Sequence, residues 1–335
     1  MRDYFDHAGE VSVRNAWEHI YRCLLWMNQS AGLAHIYDSN HMQPGGVFHE
    51  RAVRFTQALQ EHWHTDRRGL AGQIDVLFQG CVQELRSRVI GLEQASDAAD
   101  IGTTSLVDPE LESDLIADVA AVLETEGIAA ARAAGVARRI EALSREFFTI
   151  GNKRKNALGE GFEDLLSMLL QRAAGVRPEV IALRRPVSAL PGFLPAEPRR
   201  QGDRRTRQPK PDLALIDTDA GVTHHIVTAK WSLRQDRETQ FQSEYTSYQR
   251  NKVQTAELQY GLITNEFDLA RLRNVLDAIP GGSGGYVFHK VYHISLSLLE
   301  QTHGDRFSEI RPYAQTGKLQ SLSDFLELVR VRFGT

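Results

Sequence analysis

Two hydrophobic rhythms divide this chain. Over residues 1–148 apolar positions recur at helical spacing. Val13, Trp17, Ile20, Leu24 and Leu25 predict a helix within residues 11–35. Further helices are expected over residues 48–63 and over 70–92, where Ile74, Leu77, Phe78, Val82, Leu85 and Val89 share a face. A polar connection covers residues 94–104. Asp108-Pro109-Glu110 then places a cap and a first-turn proline before residues 111–123, and 129–148 is an alanine-rich helix. From about residue 175 the rhythm changes. Residues 180–183 and 211–216, then 226–230, are short apolar or β-branched runs, and the acid- and glycine-containing turn at 217–223 makes the last two a hairpin. A polar helix at 238–251, a strand at 258–264, an amphipathic helix at 267–279, a long strand at 286–299 and a closing helix at 323–331 follow. Strands alternating with helices predict an α/β (α+β) domain with a mixed central sheet flanked by helices. The expected organisation is an all-α N-terminal region, 1–148, and a second domain, 149–335.

Composition narrows the classes. The chain has 335 residues, 42% hydrophobic and 24% charged, which is ordinary for a globular protein and ample for a core. No run of eighteen apolar residues predicts a membrane span, and the N-terminus lacks the pattern of a secretory signal, so a cytoplasmic protein is expected. Cys23 and Cys81 fall in helical patterns and read as core thiols rather than a disulfide or zinc framework. His49-Glu50 lacks the second histidine of a zinc-protease helix, because position 53 is Val53. The glycine-rich loop at 280–285 lacks the Lys-Ser/Thr ending of a phosphate-binding loop. A net charge of −4 does not by itself suggest nucleic acid, and local distribution matters more than the sum. Lys153-Arg154-Lys155 is one basic cluster. Arg199, Arg200, Arg204, Arg205, Arg207 and Lys210, countered mainly by Asp203, form another within a proline- and arginine-rich loop at 186–209 and just beyond it. Such runs are usually solvated, yet this one leads straight into Asp212, which favours a loop that tracks a phosphate backbone or an arm in the minor groove.

The hairpin carries chemistry at both ends. Asp212 opens its first strand behind Pro211, and Lys230 closes the second, on the same face as Thr228. A carboxylate and an ammonium at adjacent strand ends can hold a divalent cation and a phosphate between them. Pro-Asp followed by a strand ending in Lys resembles the PD-(D/E)xK nuclease superfamily. More specifically it resembles restriction endonucleases that read a CCGG or CCNGG core. In that group a small polar residue, here Thr228, stands two before the lysine, and a glutamate further on, here Glu244, supplies the missing carboxylate. A Gly-x-x-Phe-Glu helix matches Gly159-Glu160-Gly161-Phe162-Glu163, and an Arg-x-Asp-Arg motif matches Arg234-Gln235-Asp236-Arg237. The separation of Asp212 from Lys230 is shorter than in many relatives, and the resemblance covers residues 150–300.

The resemblance implies a PD-(D/E)xK core and a Type II restriction endonuclease. Such an enzyme works as a homodimer, or a tetramer, on palindromic double-stranded DNA and is paired with a cognate DNA methyltransferase. Mg²⁺ would be held by Asp212 with Glu244 and Glu163, since the ion prefers oxygen ligands. Lys230 would contact the scissile phosphate and orient the attacking water. Arg234 and Arg237 carry donors for guanine edges, and Asp236 an acceptor for cytosine; an ion pair at a helix start is the competing reading. Lys153, Arg154, Lys155, Arg204, Arg205, Arg207 and Lys210 would contact the DNA backbone. The helical region would serve dimerisation or embrace DNA. A repair or modification-dependent nuclease of the same fold, or a DNA-binding protein that no longer cleaves, are the alternatives.

Overall fold

The computed structural model describes residues 2–25, 45–74, 76, 160–195, 209–233, 238–279 and 286–334. Four helices come first: α1 (Arg2–His7), α2 (Ala16–Leu24), α3 (Val47–His62) and α4 (Arg67–Gln73). The remaining helices expected before residue 149 lie outside the described residues. Next comes α5 (Phe162–Arg172), followed by β1 (Ile181–Leu183), β2 (Leu213–Asp217) and β3 (Val222–Lys230). Then α6 (Glu238–Asn251), β4 (Gln259–Thr264), α7 (Leu269–Asp277), β5 (Lys290–His293), α8 (Leu296–His303), α9 (Arg311–Gln315), β6 (Leu319–Ser321) and α10 (Leu322–Phe333) complete the order.

The six strands form one mixed sheet in sequence order. β1–β2 and β2–β3 pair antiparallel, whereas β3–β4, β4–β5 and β5–β6 pair in parallel. The change follows from the connections. β2 and β3 are joined by a tight turn in which the Asp217 side chain accepts from the Ala220 N–H and Gly221 adopts φ +64°. The crossovers after β3 carry helices, as parallel pairing requires. Both faces of β2 and β3 are covered, so their apolar runs are nearly continuous rather than alternating.

Elements near the C-terminus depart from expectation. The long strand predicted at 286–299 is a short strand, β5, then a helix, α8. Ser295 ends the strand by accepting from the Leu298 N–H as an N-cap, and Leu298, Leu299, Thr302 and His303 take the buried face. The alternation of Leu and Ser at 296–298 suits either state, and the cap decides it. β6 and α9 went unpredicted because each is so short.

The first 76 residues belong to the same compact unit as residues 158–335. Residues 77–157 belong to a separate unit and lie outside the described residues. Within the first unit, α2 packs on α5 and α10, and α3 packs along α8. The Tyr21 hydroxyl donates to Asn265 at 2.7 Å, and the Phe55 ring meets Phe267 edge-on at 5.1 Å. No helix among the described residues is long and apolar enough to cross a membrane.

Candidate active site

The chemistry gathers where β2 begins and β3 ends. Antiparallel register pairs Leu213 with Val227, so Asp212 lies beside the last turn of the β3 pleat. One Asp212 oxygen, Oδ2, accepts from the Lys230 ammonium at 2.5 Å and from the Ala229 backbone N–H at 2.8 Å. The two side chains are 16% and 19% exposed, so the ion pair is largely withdrawn from water while still reachable.

Two further acids reach this pair from helices. Glu163 lies in the first turn of α5, within a buried stripe that includes Phe162, Leu166 and Leu170. Burial pushes its carboxyl up to about 7, Asp212 adds to the rise, and Arg184 and Lys230 oppose it. Glu244 occupies the stripe of α6 between the buried Phe241 and Tyr248. Burial raises its pKa too, with a smaller push from Asp212, while its bond from Gln240 and the nearby Lys230 lower it. A carboxylate on the apolar face of a helix is costly unless something compensates. Here two such carboxylates flank a third.

Neighbouring polar groups hold these acids. Glu244 Oε1 accepts from Gln240 Nε2 at 2.7 Å, one helical turn earlier, and Oε2 accepts from the Tyr260 hydroxyl at 3.4 Å. That hydroxyl also meets Thr228 Oγ1 at 3.0 Å. Tyr260 on β4 thereby links Thr228, which stands two before the lysine, to Glu244. The Tyr248 hydroxyl is buried and has no hydrogen-bond partner among the described residues; burial raises its pKa, and Glu244 and Asp212 add to the rise. It is a donor left open at the acidic cluster.

Arg184, just beyond β1, was not singled out from sequence. Its backbone N–H donates to the Asp212 carbonyl at 3.1 Å. Its guanidinium donates to Glu163 at 2.9 Å and to Asp164 at 2.6 Å. Strand register alone brings it here, and no local motif marks it.

The structure therefore brings Asp212 and Lys230 within electrostatic reach of both Glu163 and Glu244. Among the described residues, no three His, Cys, Asp or Glu form a ready-made metal cage. Mg²⁺ does not demand one, because it is held through one or two carboxylates with waters and substrate phosphate making up the rest. The acids offer only oxygen donors, the ligand type a hard cation takes. Of the expected DNA contacts, Lys210 is exposed beside the site. Arg234, Asp236, Arg237, Lys153, Arg154, Lys155, Arg204, Arg205 and Arg207 lie outside the described residues. Trp231, next to Lys230, is buried edge-on against Phe162 and Tyr21.

No family model matches the chain, and no curated protein matches it. Among solved structures, the restriction endonuclease PspGI in complex with its substrate DNA is similar at a TM-score of 0.31 and 16% identity, over 67% of this chain and 74% of that one. A likeness that weak carries no functional argument.

Proposed function

We propose that this protein is a Mg²⁺-dependent endonuclease of double-stranded DNA, of the Type II restriction kind, with a PD-(D/E)xK site. The observation that carries the reading is the half-buried Asp212–Lys230 ion pair, close enough to Glu163 and Glu244 on two helices for its charges to act on both carboxyls. Carboxyls with raised pKa values gathered about an ion pair mark a candidate functional site.

Each residue then has a task. Asp212 and Glu244 offer oxygen ligands, and Glu163 completes the acidic set. Bound Mg²⁺ would supply charge neutralisation at the phosphate and an acidified water. Lys230 aligns the attacking water and offsets charge developing on the phosphoryl oxygens. Tyr260 and Gln240 fix the rotamer of Glu244. Arg234, Asp236 and Arg237 read C·G pairs of a CCGG or CCNGG core, and Lys153, Arg154, Lys155, Arg204, Arg205, Arg207 and Lys210 hold the backbone. Two copies acting on a palindrome match the two-fold symmetry of such a target. A cognate methyltransferase would protect the host's own sites.

Digestion of plasmid DNA with and without Mg²⁺ tests this. Discrete fragments that vanish with chelator support restriction. A smear points instead to a non-specific nuclease of the same fold, and a mobility shift without strand breaks to a binding protein.

A further inference from the structure

Arg184 has an unusual backbone for so large a residue. Its φ is +49°, in the left-handed region that non-glycine residues seldom occupy. A sparsely populated backbone persists only where its surroundings hold it, and functional sites are where such positions collect. The conformation turns the guanidinium over the first turn of α5. Nη1 lies between Glu163 Oε2 at 2.9 Å and the Glu160 carbonyl at 3.3 Å, and Nη2 donates to Asp164 at 2.6 Å. The Arg184 side chain remains 39% exposed, whereas that of Glu163 is 9% exposed. The arginine therefore stands between the buried acid and solvent.

A carboxylate oxygen engaged by a guanidinium is a poorer metal ligand, and the positive charge beside it repels a cation. A guanidinium at the mouth of a phosphodiester site is equally suited to bind a phosphate through two donors. We infer, on the basis of the nuclease reading, that Arg184 couples metal loading to DNA binding. In the free protein it is the counter-ion of Glu163; when DNA binds, a backbone phosphate takes the guanidinium and leaves Glu163 open to the cation. Arg184 is on this account a positioning residue, acting on the metal through Glu163.

The test is Mn²⁺ affinity by titration calorimetry, with and without a phosphorothioate duplex carrying a CCGG core. It uses the full chain as wild type, Arg184→Gly and Arg184→Lys. Glycine accepts the left-handed backbone, so that variant removes the side chain without adding strain. Wild type should bind Mn²⁺ about tenfold more tightly when the duplex is present, within the usual range of such couplings. Arg184→Gly should bind Mn²⁺ about tenfold more tightly than wild type without DNA and gain little from the duplex, with Arg184→Lys in between. The inference is overturned if Arg184→Gly binds Mn²⁺ no better than wild type without DNA, or keeps the full effect of the duplex. A wild type that binds neither Mn²⁺ nor duplex overturns the nuclease reading first, and this inference with it.

Discussion

Tyr260 shows how a single hydroxyl can order a site. It is buried on β4, and its oxygen lies between Thr228 at 3.0 Å and Glu244 at 3.4 Å. Removing it leaves the ring packing against Tyr248 and Phe288 intact but frees Glu244 to change rotamer. Tyr260→Phe should cost about 0.5–1.5 kcal/mol of stability, the usual net worth of a hydrogen bond. Plasmid cleavage should slow about tenfold or more, within the range for a displaced catalytic group. Unchanged cleavage would show that Glu244 needs no such support. Residues of this kind are hidden from sequence. Asp212 and Lys230 stand out because a proline precedes one and a strand ends at the other. Glu163 and Glu244 look like ordinary surface acids of helices and were distinguished only by family resemblance. Tyr260 and Arg184 matter through strand pairing, and pairing between distant strands has no local signature.

Glu266 ties the segment after β3 to the segment after β4. Its two oxygens accept from the Leu233 N–H and the Asp268 N–H, each at 2.7 Å, and Arg271 closes the link by donating to the Leu233 carbonyl at 2.8 Å. The side chain is fully buried, and burial raises its pKa from 4.5 to about 7, against the pull of the two N–H donors. The folded protein thus binds this proton more tightly than the unfolded chain does. The stability it contributes is fully present below pH 4.5 and is lost as pH rises through 7. Between pH 5 and pH 8 the unfolding free energy of wild type should fall by up to about 3 kcal/mol more than that of Glu266→Gln. Glu163 titrates in the same window in both proteins and cancels. Parallel urea-unfolding profiles across that range would contradict the assignment. Hairpins and helices were legible where local chemistry decides them: the turn before β3, the apolar face of α7, the polar α6. The stretch at 286–299 was not, because a capping serine inside an alternating run outweighs the alternation.

At the scale of the molecule, the early helices support the sheet and the site at its edge. α2 and α3 touch the loop after β4 through the Tyr21–Asn265 bond, the Phe55–Phe267 contact and the Arg51–Asp268 ion pair. The same loop holds the end of β3 through the Asn265 N–H, which donates to the Trp231 carbonyl at 3.1 Å, one residue beyond Lys230. Phe55→Ala should therefore destabilise the whole unit, by about 3–5 kcal/mol as for other buried aromatics. A single cooperative denaturation curve shifted as one would show it, and a loss confined to an early, separate transition would not fit. Periodicity revealed the helices but not where they pack, since an amphipathic face does not name its partner. The central claim is that Asp212, paired with Lys230, makes this site hydrolytic. Its most direct test is the cleavage rate of supercoiled plasmid at saturating Mg²⁺ for wild type and Asp212→Asn, with circular dichroism to verify the fold. The account predicts strand breaks by wild type and a fall of about 10²–10⁴-fold in the variant at unchanged ellipticity. An intact plasmid with wild type, or equal rates for the two proteins, would contradict it.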